Sequence, residues 1–283
     1  MIILLKLIQF IFRIIFFLPA AMALTIMYCF AWFIQLITRL SRYKKTVAKN
    51  ISLVLPESNA NKTADNLIKN TSYSLLEVLC IPFWRKKHFA KIIIWQGLEN
   101  IKPDKGAIIL TIHAGNYEIM PTALAYKGFK MNTVLRATDD PVFKIINKSR
   151  ATGRVKLINI LEDDMYKESI KAVEQNELVF LLADTGALES RHEMVDFLGR
   201  KVAAATGWLT LAQRTGCPVI PAIAVRAGKK IVMTFYPALE VTKETRESAK
   251  QTALEIFEGF VKQNPDQWAM FLNEFETKRM IEG

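Results

Sequence analysis

Three patterns of apolar and polar positions divide the chain. Residues 14–37, IIFFLPAAMALTIMYCFAWFIQLI, contain 24 positions without a charged side chain. About 20 apolar residues span a bilayer as a helix, so this run predicts a membrane-anchoring helix, kinked at Pro19 if at all. The apolar core of a secretory signal is shorter, about 7–15 residues, which favours a retained anchor over a leader. A core helix of a soluble protein is the competing reading. Residues 60–80 read as a second helix, with Leu67, Tyr73, Leu76 and Leu79 as its apolar positions. Beyond them, short apolar runs at 92–95, 107–112, 132–135, 155–158, 178–183, 219–225 and 231–235 predict strands. Helical stretches fall near 116–127, 140–151, 163–176, 206–216 and 243–263, the last stopped by Asn264-Pro265. The alternation predicts an α/β fold, a mixed, largely parallel sheet flanked by helices. The simplest division is an anchor with a basic flank over 1–45 and one domain over 46–283.

Charge sharpens that division. The first 50 residues carry seven basic and no acidic side chains, which is most of the net charge of +11. The chain is therefore not uniformly basic, and a nucleic-acid partner is not expected. Arg39, Arg42, Lys44, Lys45 and Lys49 outnumber the basic residues before the anchor, which places the body on the cytoplasmic side by the positive-inside rule. Those side chains also favour anionic headgroups, by about 1 kcal/mol each near the surface. Residues 81–95, IPFWRKKHFAKIIIW, mix aromatic and basic side chains. They read either as a segment lying on the headgroups or as an ordinary amphipathic stretch. Cys29, Cys80 and Cys217 form no disulfide or metal pattern.

The chemistry concentrates in TIHAGNYEIM, residues 111–120. His113 directly follows the predicted strand 107–112, and strand carboxyl ends are where α/β sheets build sites. Gly115 allows a sharp turn, and Asn116 suits the N-cap of the next helix. His113 and Glu118 are five apart, about 140° around a continuous helix. With His113 in the preceding loop, it can fold back toward Glu118, giving a base and its orienting carboxylate. No serine or cysteine adjoins them, so the nucleophile would be a substrate hydroxyl or amine. A capping histidine and a glutamate favoured by the helix dipole fit the same spacing. No dinucleotide, Walker, HExxH or GxSxG motif is present.

GAIILTIHAGNYE resembles the H-x4-[DE] block of the lysophospholipid acyltransferase superfamily. Its closer likeness is to the HxGNWE form of the bacterial lipid A biosynthesis (lauroyl/myristoyl) acyltransferases. VLRATDDPVFKIINKSRATG (134–153), LVFLLADTG (178–186) and VDFLGRKVAAATGWLTLAQRTGCPVIPAIAVR (195–226) resemble three further blocks of that family, in order. The resemblance implies transfer of a fatty acyl chain from an acyl-carrier-protein or CoA thioester to a hydroxyl of a lipid A precursor or related anionic glycolipid. It implies a bacterial inner-membrane enzyme, single-pass or monotopic, with acyl carrier protein, anionic lipid and the bilayer as partners. A thioester donor requires no metal or other cofactor. By the resemblance His113 is the general base and Glu118 its partner. Arg136 binds phosphate or steadies the oxyanion, and Asp184 shapes the site. Arg200 meets phosphate, Thr206 opens a helix whose N-terminus favours anions, and Asn116 joins the substrate-binding set.

The sequence departs from the family pattern at Tyr117, in place of the tryptophan of HxGNWE, and at Thr185, in place of a glutamine. Its ending, NPDQWAMFLNEFETKR, keeps the PDQW-like start but not a tryptophan- and arginine-rich continuation. These departures bear on the acceptor more than on the reaction. The competing readings are an acyltransferase for a glycerophospholipid or other lipid, a non-catalytic membrane-tethered lipid-binding scaffold, and a metal-dependent hydrolase using His113, Glu118, Asp184 and His192.

Overall fold

The computed structural model describes residues 2–136, 139–151, 155–184, 192–274 and 277–278. The apolar N-terminus forms two helices, α1 (Ile2–Ile15) and α2 (Ala20–Leu40), and not one kinked rod. Pro19 stands at the junction, where its fixed φ and missing N–H suit a helix start and end the previous one. α2 buries Ala20, Ala23, Leu24, Met27, Tyr28 and Ala31. That 3–4 spacing makes one helical face. The face packs against α4 (Ala60–Cys80) as part of the same core as the sheet. Its other face leaves Trp32, Phe33 and Ile37 more than half exposed. α3 (Tyr43–Val54), which the charge pattern presents as a basic flank, is a helix whose Val47, Ile51 and Val54 are buried.

Seven strands form the main sheet: β1 (Ile93–Gln96), β2 (Ala107–Thr111), β3 (Met131–Leu135), β4 (Val155–Asn159), β5 (Leu178–Leu182), β8 (Val219–Ala227) and β9 (Lys230–Phe235). Their order is β1-β9-β8-β2-β5-β3-β4, and only the β8–β9 pair is antiparallel. The expected mixed, largely parallel sheet is therefore present. β2 is buried at every position, as a central parallel strand covered on both faces should be. The helices α6 (Met120–Lys127), α7 (Pro141–Arg150), α8 (Met165–Glu174), α9 (Gly207–Thr215) and α10 (Arg246–Gln263) join and cover the strands. Strands β6 (His192–Phe197) and β7 (Arg200–Ala205) make a separate antiparallel hairpin, turned through Leu198 and Gly199 at positive φ.

Residues 81–95 do not form a headgroup-facing strip of aromatics. Trp84, Phe89 and Ile92 are buried in the core, while Arg85, Lys86 and Lys87 stay exposed on the short helix α5 (Lys86–Ile92). The segment is amphipathic, with its aromatic side turned inward.

A buried ion pair ties these layers together. Glu77 of α4 and Arg226 of β8 are 0% and 3% exposed at their side chains and meet in a two-pronged contact, one prong 3.0 Å long. Tyr28 donates to Glu77 at 2.8 Å and Asn116 at 2.6 Å, and Arg226 lies against the Tyr73 ring. Desolvating two charges costs several kcal/mol per ion, which attraction offsets only when the other lone pairs and protons are also satisfied. Here α2 and the His113 loop supply those extra donors.

Two predictions follow from this packing. Glu77→Ala leaves Arg226 charged and buried, so it should cost about 3–5 kcal/mol. Glu77→Leu with Arg226→Met should recover most of that in urea unfolding; equal losses in single and double variants would contradict the assignment. His88 is fully buried and accepts from Arg85 N–H at 2.9 Å, and burial lowers its pKa to about 4. The unfolded chain binds this proton near pH 6.5 and the folded chain only near 4, so stability should fall as pH drops through that window. The loss at pH 5 should be about 2 kcal/mol. His88→Gln should flatten this part of the stability–pH curve, and an unchanged slope would exclude His88 as its source.

Candidate active site

Parallel register builds the site. Thr111 of β2 pairs with Leu182 of β5, so two residues further on His113 emerges beside Asp184. The carboxylate bonds to His113 twice: Oδ1 lies 2.7 Å from Nδ1, and Oδ2 accepts the His113 backbone N–H at 2.8 Å. Trp268 Nε1–H also donates to Oδ2, at 2.8 Å. Burial pushes the Asp184 carboxyl up, but the charge of His113 and these three donors outweigh it and hold the group below its usual value. Asp184 is thus an anion aimed at Nδ1. That fixes the proton on Nδ1 and leaves Nε2, on the far side of the ring, as the basic nitrogen.

The expected His113–Glu118 pairing is replaced by two pairs. The carboxylate at Nδ1 is that of Asp184, whereas Glu118 forms an ion pair with Arg150, the last residue of α7. Asn147, one turn earlier, accepts from Arg150 at 3.0 Å. Glu118 sits in a 3-10 turn (Tyr117–Ile119) beyond Gly115 and lines the same cavity as His113. Gly115 has φ +57°, and a Cβ there would stand 1.7 Å from the Ala224 carbonyl oxygen. The turn therefore requires glycine.

His113, Glu118, Arg136, Arg150, Phe143 and Phe180 are among the residues lining a cavity of about 230 Å³. Arg136 is exposed at its mouth, and Arg150 is the more enclosed of the two arginines. No serine or cysteine is among the described residues that line it. A smaller, mainly apolar cavity of about 40 Å³ lies against Asp184 and Trp268, walled by the β6–β7 hairpin and α10.

Three sequence candidates lie elsewhere. Asn116 is fully buried, its side chain spent on Glu77 and not on capping the following turn. Arg200 stands at the start of β7 and donates to the Leu53 carbonyl of α3 at 2.8 Å. Thr206 is buried ahead of α9 and makes no side-chain cap bond, while the neighbouring Gly207 carbonyl accepts from Tyr166. None of the three lines the His113 cavity. Thr185 lies outside the described residues, as does the His192 side chain. Among the described residues no group of three or more His, Cys, Asp and Glu side chains is arranged to hold a metal ion. The sequence reading passed over Arg150 and Trp268, although both stand inside quoted blocks. Arg150 was legible as the C-terminal residue of a helix opened by Pro141.

Residues 2–277 match the model of the bacterial lipid A biosynthesis acyltransferases. The chain belongs to that family. This acyltransferase finds no match among curated proteins. Among solved structures it is similar to the 1-acyl-sn-glycerophosphate (LPA) acyltransferase PlsC of Thermotoga maritima, at 15% identity and a TM-score of 0.39, over 80% of this chain and 96% of that one. The family supports an enzyme that acylates lipids, and α2, the one helix among the described residues long and apolar enough to cross a membrane, fits membrane association.

The enclosed position of Arg150 gives a test within the acyltransferase. Arg150→Met should lower acyl transfer by about 10²-fold, the scale for losing one aligned charge stabiliser. The exposed Arg136→Met should cost less. The opposite ranking would move the cationic role to Arg136.

Proposed function

We propose that the protein transfers a fatty acyl chain from an acyl-carrier-protein thioester to a hydroxyl of a lipid A precursor or related anionic glycolipid. It works at the cytoplasmic face of the bacterial inner membrane. The observation that carries this reading is His113, held by Asp184, on the wall of a cavity that no serine or cysteine lines among the described residues. The base is then positioned for a nucleophile that arrives with the substrate. His113 Nε2 takes the proton of the acceptor hydroxyl as its oxygen attacks the thioester carbonyl. Asp184 keeps the other proton on Nδ1 and stabilises the imidazolium. Arg150, with Glu118 fixing its direction, offers positive charge to the oxyanion or to an acceptor phosphate. Collapse re-forms the carbonyl as an ester and expels the thiolate, which takes the proton from His113. A thioester supplies its own leaving group, so no cofactor enters these steps.

The apolar outer faces of α1 and α2 and the basic side chains around them support the membrane assignment, and cytoplasmic orientation follows from the basic cluster after α2. The net positive charge of the chain also favours an acidic carrier protein as donor.

Mass spectrometry tests the reaction directly. Purified protein in detergent, given acyl carrier proteins of mixed chain length and a lipid A precursor, should add one acyl group to the glycolipid. His113→Ala should fold normally and lose transfer by at least about 10²-fold. Acylation of lysophospholipids alone would change the acceptor. Full transfer by folded His113→Ala would end the mechanism.

A further inference from the structure

The stretch Pro265–Leu272, two 3-10 turns joined at Trp268, grips the centre at several atoms. Ala269 N–H donates to the His113 carbonyl at 2.8 Å, and Gly115 N–H donates to the Gln267 carbonyl at 2.6 Å. The Gln267 side chain bridges the Arg226 backbone, accepting its N–H at 2.7 Å and donating to its carbonyl at 3.1 Å. Trp268 is fully buried between Phe197 and Phe271. A core tryptophan needs one acceptor for its N–H. This one uses the carboxylate that faces His113.

We propose that Trp268 is a positioning residue for acyl transfer, acting on His113 through Asp184. The proposal rests on the His113 mechanism above. Oδ2 accepts two N–H groups, from Trp268 and the His113 backbone, and this turns Oδ1 toward Nδ1. Each donor also draws part of the carboxylate's charge. Without the indole N–H, Asp184 can rotate, and its charge falls more fully on the imidazole. The first effect misaligns the base and lowers the rate. The second stabilises the imidazolium and raises the pH at which Nε2 loses its proton. A ring that served only to fill the core would produce neither change once the protein had folded.

The test is steady-state kinetics across pH on full-length protein with an acyl-carrier-protein donor, comparing Trp268→Phe with wild type. A hydrogen bond to a charged group corresponds to about tenfold or more in rate. kcat should therefore fall about tenfold, with KM within about twofold, and the acidic limb of the kcat profile should move to higher pH. Asp184→Asn should move that limb to lower pH. Because Phe leaves space in the core, a second protein should carry 3-benzothienylalanine at position 268, which keeps the ring and replaces N–H by sulfur. Phe271→Leu serves as a core-packing control, expected to lower stability without moving the limb. Wild-type kcat and an unmoved limb in the folded benzothienyl protein would overturn the proposal. Retained activity in His113→Ala would instead overturn the mechanism on which it stands.

Discussion

The pairing of Glu77 with Arg226 is the constraint around which the other parts are arranged. Two charges removed from water tolerate little freedom in their surroundings, because each lost hydrogen bond is felt in a low dielectric. The pair draws Tyr28 from α2, Glu77 from α4, Asn116 from the His113 loop and Arg226 from β8 into one cluster. Gln267 then clasps the backbone of Arg226, and its neighbour Trp268 reaches Asp184. A continuous set of polar contacts runs from the N-terminal helices to the carboxylate of Asp184. Hydrophobic burial stabilises each layer, but it is non-directional. The polar cluster fixes how the layers are registered.

α2 faces two apolar environments at once. Its Ala23, Met27 and Ala31 side pack on the protein, and small residues there let the helix approach closely. Its Trp32, Phe33 and Ile37 side is more than half exposed and, with Met22, Phe30 and Leu36, exceeds the usual scatter of exposed apolar groups. The sequence reading treated the anchor and the core helix as alternatives. The apolar residues of α2 divide between a buried face and an exposed one, so the two readings do not exclude each other.

The strands of the main sheet were legible because each is mostly apolar, and β2 and β5 near its centre nearly continuously so, the pattern a two-side-covered sheet imposes. The β6–β7 hairpin was not. HEMVDF and RKVAAA carry charges on both faces, and Leu198-Gly199 lacks the Asn-Gly signal of a two-residue turn. α3 was hidden because its lysines read as a basic flank. His113 stood out by its place after a strand, but its partner did not. Spacing reports neighbours along the chain, so it offered Glu118, five residues away. Asp184 is 71 residues distant and arrives through parallel pairing, which no local pattern encodes. The same limit concealed Arg150 as the partner of Glu118.

The clamp on Asp184 also sets an order of events during synthesis. Glu77, His113, Asp184 and Arg226 all precede Trp268, as do every strand of the sheet and α10. A growing chain can therefore complete its sheet, and seat α2 against α4, while the Asp184 carboxylate still lacks one of its donors. Within this chain Trp268 is made after the carboxylate it holds. The geometry of the His113–Asp184 pair is thereby completed only after the fold that contains it has been made.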